Sequence, residues 1–157
     1  MERSYLSQSL ADTHKFGERF VNYIPAGTTV ALVGTLGAGK TAFVQGVGLA
    51  IGIPANSITS PTFVLCNEYI GTHSIYHLDA YRLADSDEFS DLGPEEMYQS
   101  QHYVFIEWAD RVVNCLPREY ITIHINIENR DSRLFVVNST GTLKENVRRW
   151  MDSISNE

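Results

Sequence analysis

The segment Gly34-Thr35-Leu36-Gly37-Ala38-Gly39-Lys40-Thr41 constrains the fold of this chain more than any other stretch, because it matches G-x-x-x-x-G-K-[ST] in full. Glycines let such a loop curl until successive backbone N–H groups converge on an anion, and the helix that follows presents its positive end to the same point. Lys40 supplies a point charge for the β- and γ-phosphates of a nucleotide, and the Thr41 hydroxyl is placed to ligate Mg²⁺. At ordinary glycine usage the pattern arises by chance in on the order of one chain per few hundred of this length, so context decides. Here the context agrees. Thr28 to Val33 is short, β-branched and apolar, as in a strand covered on both faces, and Lys40 to Ile51 has the composition of a helix ended by Gly52 and Pro54.

The remaining elements alternate in type. Leu10, Phe16, Phe20 and Ile24 share one helical face behind a Ser9/Asp12 capping pair, and that helix stops before Pro25 and Gly27. Strands are expected at Thr62–Tyr69, His73–Leu78, Tyr103–Glu107, Tyr120–Asn126 and Arg133–Asn138, the last two forming a hairpin across Glu128–Ser132. Asp85 to Gln101 is acidic and carries Gly93-Pro94, which predicts broken helix and loop outside the core. Thr142 and Glu145 make a T-x-x-E capping box for a last helix reaching about Ile154. This order predicts an α/β fold of the P-loop nucleoside triphosphate hydrolase type, three-layered around a central mixed β-sheet, with residues 1–157 as one domain.

Composition narrows the function classes. A chain of 157 residues buries roughly 70% of its unfolded surface, so its core needs no disulfide or metal staple. Cys66 and Cys115 lie in separate apolar runs without ligand spacing and are expected as reduced thiols. No basic-then-apolar leader and no apolar run near the ~20 residues that span a bilayer is visible, which places the expectation in the cytoplasm and off the membrane. The net charge of −7 argues against a surface that holds nucleic acid by itself, so any role on RNA is expected to run through a partner.

A phosphate cradle needs carboxylates at neighbouring strand ends. Asp79 and Glu107 are each the first acid after an apolar strand. One can ligate the metal while the other orients or deprotonates water, and the sequence does not assign which. His77 and Tyr81 fit either site or packing roles, with packing the commoner fate of a lone strand histidine. Trp108 is expected by type as a packing residue, and Arg111, Arg130 and Arg133 are each candidates for a phosphate contact.

Taken with the P-loop, Ser60-Pro61-Thr62-Phe63, His77-Leu78-Asp79-Ala80-Tyr81-Arg82 and Ile106-Glu107-Trp108-Ala109-Asp110-Arg111 give the chain a resemblance to the bacterial TsaE family across nearly its whole length. That family is the ATPase component of the machinery making N6-threonylcarbamoyladenosine at tRNA position 37. The resemblance implies ATP or ADP and Mg²⁺ as cofactors, with Leu36, Gly37, Ala38, Gly39, Lys40 and Thr41 around the phosphates. It implies Thr41 and Glu107 as metal ligands, Asp79 and Glu107 with Lys40 as the catalytic set, and Trp108 and Arg130 beside the nucleotide. The Ser7 to Thr13 segment corresponds to the family's contact on the adenine side. TsaB and TsaD are the implied partners, contact with tRNA is indirect, and turnover is slow until partners stimulate it. Two residues depart from the family pattern: Thr35 stands where Asp is common, and Asn129 where Gly usually precedes Arg130.

Two other readings compete. A small-molecule P-loop kinase needs an acceptor pocket and an Arg-bearing lid, whereas Ser60–Phe63 lacks basic residues and Asp85–Gln101 is acidic. A nucleotide-dependent binding module with little turnover would not need Lys40, Thr41, Asp79 and Glu107 all intact. No N-K-x-D segment is present, so ATP is expected over GTP.

Overall fold

In the computed structural model, which describes residues 2–155, the buried apolar strands form the middle of one seven-stranded sheet. The strands are β1 (Arg3–Ser7), β2 (Thr29–Val33), β3 (Cys66–Ile70), β4 (Ser74–Asp79), β5 (Tyr103–Glu107), β6 (Ile121–Ile127) and β7 (Arg133–Ser139), in the order β1-β7-β6-β2-β5-β4-β3. β6, β2, β5 and β4 run parallel, while β7, β1 and β3 join antiparallel at the flanks. The mixed sheet and the β6–β7 hairpin are as expected.

Helices α1 (Leu10–Tyr23), α2 (Lys40–Ala50) and α5 (Leu143–Ser155) cover one face. Their core is aromatic: Phe16 stacks on Trp150 at 4.5 Å, and Phe20 meets Phe43 edge-on at 5.8 Å. The short helices α3 (Ser86–Ser90) and α4 (Pro94–Tyr98), with the 3-10 segment Ala109–Cys115, cover the other face around Ala31, Leu78 and Ile106. The result is the expected three-layer arrangement. Among the described residues no helix is long and apolar enough to cross a membrane.

Several local expectations change. β1 was not foreseen; its weakly alternating Arg3-Ser4-Tyr5-Leu6-Ser7 becomes a strand because β7 offers it an open edge and Tyr5 stacks on Phe16 at 4.5 Å. The strand expected over Thr62–Tyr69 begins only at Cys66, since residues 62–65 turn, Leu65 takes a left-handed φ of 69°, and Phe63 is 81% exposed. The segment 85–101 is broken helix, yet Phe89 is fully buried and the segment contributes core to the second face. Ser9 caps α1 by accepting from the Asp12 N–H at 3.0 Å, but Leu10 stays exposed and the apolar stripe starts a turn later. The T-x-x-E box is engaged elsewhere: Thr142 donates its hydroxyl to Glu119 at 3.0 Å, and Glu145 pairs with Arg148.

Glycine sets the α1–α2 crossing. A Cβ on Gly46 would lie 2.4 Å from the His14 carbonyl oxygen, and one on Gly17 would lie 2.6 Å from that of Phe43. Gly46→Ala is therefore expected to destabilise the chain by about 1–3 kcal/mol through overpacking, although alanine is the better helix former by up to ~1 kcal/mol. An unchanged urea midpoint would show that the helices can separate without cost. This crossing fixes the start of α2, where the P-loop ends.

Candidate functional site

β2 delivers the chain to Gly34, where a Cβ would meet the Ile125 carbonyl oxygen at 2.9 Å and Ala38 Cβ at 3.0 Å. Gly37 and Gly39 take φ values of 78° and 113°, conformations in which an L side chain is strained, and the Ala38 N–H closes the turn onto the Thr35 carbonyl at 3.0 Å. The first N–H groups of α2 have no partner within their own helix, so they and the helix dipole face the loop. Lys40 is only 5% exposed. Its Nζ donates to the carbonyls of Gly34 at 2.6 Å and Thr35 at 3.0 Å, and lies 4.2 Å from the centre of the Trp108 ring. Burial pushes its pKa down, and the charges of Glu107, Asp79 and Asp110 only partly offset this.

The parallel register brings the two strand-ending acids side by side, with Asp79 opposite Glu107 and Glu107 opposite Leu32. Glu107 Oε2 accepts from Thr41 Oγ1 at 2.8 Å and from His77 Nε2 at 2.5 Å. Burial pushes the Glu107 pKa up, but the hydrogen bond and charge of His77, with the Thr41 hydrogen bond and the charge of Lys40, outweigh it and hold the carboxyl below its usual range. Asp79 is tied to the next loops instead. Its Oδ1 accepts from the Tyr81 N–H at 2.7 Å, and Oδ2 accepts from Thr62 Oγ1 at 2.9 Å and Ser60 Oγ at 3.3 Å.

Leu36 to Thr41, with Ser60, Thr62, Tyr81, Glu107 and Trp108, line a cavity of about 280 Å³. Trp108 leaves β5 in a left-handed turn, φ 58°, which lays its ring near Lys40 and 4.8 Å from Tyr81. Arg111 in turn lies 5.3 Å from the Tyr81 ring. Arg130 stands on the far side of the P-loop, in a cavity of about 260 Å³ with Ser9, Leu10, Thr13, Gly37, Gly39, Ala42, Asp131 and Arg133. Arg133 donates to the Gly37 carbonyl at 3.4 Å. At the Asn129 departure, the side-chain oxygen accepts from the N–H groups of Asp131 and Ser132, each at 3.0 Å, so a side-chain turn shapes this loop without a left-handed residue. A larger cavity of about 490 Å³ at Lys15, Glu18, Arg19, Asn22 and Ala50 is remote from these groups.

The structure thus gathers Leu36–Thr41, Glu107 and Trp108 at one cavity, sets Asp79 beside it, and places Arg130 at the adjoining one. Sequence reasoning missed three links: His77 to Glu107, Ser60 and Thr62 to Asp79, and Arg133 to the P-loop backbone. The only available signal for the second was the clustering of hydroxyls in Ser60-Pro61-Thr62.

Residues 7–135 match the family described as threonylcarbamoyl adenosine biosynthesis protein TsaE. The tRNA threonylcarbamoyladenosine biosynthesis protein TsaE of Treponema pallidum is 40% identical over 122 residues, covering 78% of this chain and 90% of that protein. Its counterpart in Bacillus subtilis is 37% identical over 135 residues, covering 83% of each chain. The crystal structure of Bacillus subtilis YdiB superposes with a TM-score of 0.81 at 26% identity, covering 99% of this chain and 97% of that one.

Proposed function

The chain belongs to the TsaE family, whose members are proteins of tRNA threonylcarbamoyladenosine biosynthesis, and we propose that it serves that modification as a Mg²⁺-dependent ATPase that resets a TsaB–TsaD transferase pair. The observation that carries this reading is the Thr41–Glu107 contact: a P-loop hydroxyl 2.8 Å from a buried, ionised carboxylate, with Lys40 in the same cavity.

Thr41 and Glu107 offer hard oxygen donors of the kind Mg²⁺ takes, and they would hold it. The metal, when bound, neutralises charge on the β- and γ-phosphate oxygens. The protein's own groups do the rest. Backbone N–H groups from Leu36 to Thr41 and the Lys40 ammonium bind the phosphates of ATP or ADP. Trp108 packs beside the nucleotide, and Arg130 closes it from the cavity on the other side of the loop. Asp79, aimed by Ser60, Thr62 and the Tyr81 N–H, orients or deprotonates the attacking water.

A partner-driven cycle is supported by what surrounds the cavity mouth. Leu36, 84% exposed, and the exposed Tyr81 line the cavity, and the exposed Phe63 and Val64 follow Thr62, another lining residue, with Arg82 stacked 4.4 Å from the Phe63 ring. Large apolar side chains exposed beside a cavity are suited to being covered by another protein. A net charge of −7 leaves tRNA contact to the partners.

The test is ATP hydrolysis by the pure chain with and without the TsaB–TsaD pair, together with modified adenosine formed per transferase. Stimulation and added cycles are expected; neither would leave a P-loop protein with another task. Phe63→Ala is expected to weaken stimulation about tenfold or more, as loss of an aromatic anchor does, while isolated nucleotide binding is unchanged. Full stimulation in that variant would move the docking surface away from these side chains.

A further inference from the structure

Resting on the ATPase reading above, we propose that His77 is a positioning residue that fixes the Glu107 carboxylate for the metal-bound nucleotide. Its ring is fully buried on β4, two residues before Asp79. Nε2 lies 2.5 Å from Glu107 Oε2, and since a carboxylate accepts, Nε2 carries the proton. Nδ1 is buried too and has no hydrogen-bond partner among the described residues.

The ring therefore makes one bond and leaves its other buried nitrogen unsatisfied, which is unfavourable for the fold. An apolar side chain would avoid that loss, as Ile75 does two residues earlier on the same face of β4. Packing alone does not account for a histidine here. What the histidine adds is a second donor to the same oxygen that Thr41 engages, so Glu107 Oε2 is pinned between the P-loop helix and β4. Donors behind a metal-ligating carboxylate set its orientation, and their removal typically weakens metal affinity or activity about 10- to 100-fold. The other groups near His77 do not replace this bond: Asn67, opposite it on β3, gives its side-chain N–H to Tyr69 Oη at 3.3 Å, the Tyr69 ring is 6.5 Å away, and Phe105, its neighbour on β5, is apolar.

The experiment compares the wild-type chain with His77→Leu, which keeps bulk and removes the donor, and His77→Gln, which restores an N–H at similar reach. ADP binding is titrated by calorimetry at a series of Mg²⁺ concentrations, with melting temperature recorded for each protein. In His77→Leu, binding without Mg²⁺ is expected to stay at the wild-type level, while the Mg²⁺ concentration needed for half-maximal tightening rises about tenfold or more. His77→Gln is expected to recover most of that shift.

A wild-type Mg²⁺ response in His77→Leu overturns the inference and leaves the ATPase reading intact. An equal loss in both variants also overturns it, since shape rather than the donor then matters. If the leucine variant fails to fold, His77→Phe, which keeps a ring and removes the donor, takes its place with the same outcomes. If the wild-type chain shows no Mg²⁺-dependent nucleotide binding, the ATPase reading fails first and this inference with it.

Discussion

Lys40→Met is expected to abolish measurable nucleotide binding while leaving the nucleotide-free chain at least as stable as the wild type. Lys40 is the buried cation of the cradle, and truncating a buried charge that meets an opposite charge costs about 2–5 kcal/mol, at least roughly a thirtyfold loss in affinity. The stability half follows from the same burial. Burial lowers the lysine pKa in the folded chain, so at neutral pH folding disfavours the ammonium. That penalty is present below the folded pKa and disappears as pH rises through the folded and then the unfolded value. Methionine removes the charge and keeps the bulk. Melting curves should therefore cross over: without nucleotide the variant melts at or above the wild type, and with ATP at about 100 times the wild-type Kd only the wild type gains about 2.7 kcal/mol. Equal ATP affinity in both proteins would remove Lys40 from the site.

The expected crossover rests on a buried charge that folding disfavours, and such local exceptions divide what the sequence makes legible from what it does not. The cradle is legible because its glycines, lysine and threonine are contiguous and the strand before them is uniformly apolar. Asp79 and Glu107 are legible as strand-ending acids. Their adjacency is not, because it comes from the β4–β5 register, a pairing of residues 28 positions apart that no local pattern encodes. Phe63 and Val64 have strand composition but sit in a turn, since the Ser60 and Thr62 hydroxyls bind Asp79 and draw the chain toward the site. Trp108 looks like core by residue type. A left-handed turn after Glu107 instead brings it to the cavity. His77 leaves no periodic signal at all, because one buried polar residue in an apolar strand looks the same whether or not it has a functional partner.

The two acids have different partners, and the roles proposed for them can be separated by experiment. Glu107 is bound to Thr41, the other expected metal ligand, whereas Asp79 is held by loop groups, and two of these, Ser60 and Thr62, line the same cavity. Asp79→Asn leaves one oxygen for three donors and removes the basic carboxylate. It is expected to cut turnover about 100-fold or more, the usual contribution of a positioned acid or base, with nucleotide affinity nearly unchanged. Glu107→Gln is expected to lower turnover and to lose the Mg²⁺-dependent tightening of nucleotide as well. It should also change the pH dependence of stability. The Glu107 pKa is depressed in the folded chain, so the carboxylate stabilises the fold above the ordinary glutamate value near 4.3, and this is lost as pH falls through the lower folded value. Glu107→Gln should therefore be less stable than the wild type at neutral pH, and the difference should vanish in acid. If Asp79→Asn instead abolishes the Mg²⁺ response while Glu107→Gln leaves it intact, the roles are reversed; wild-type turnover in both would place the hydrolytic groups outside this pair.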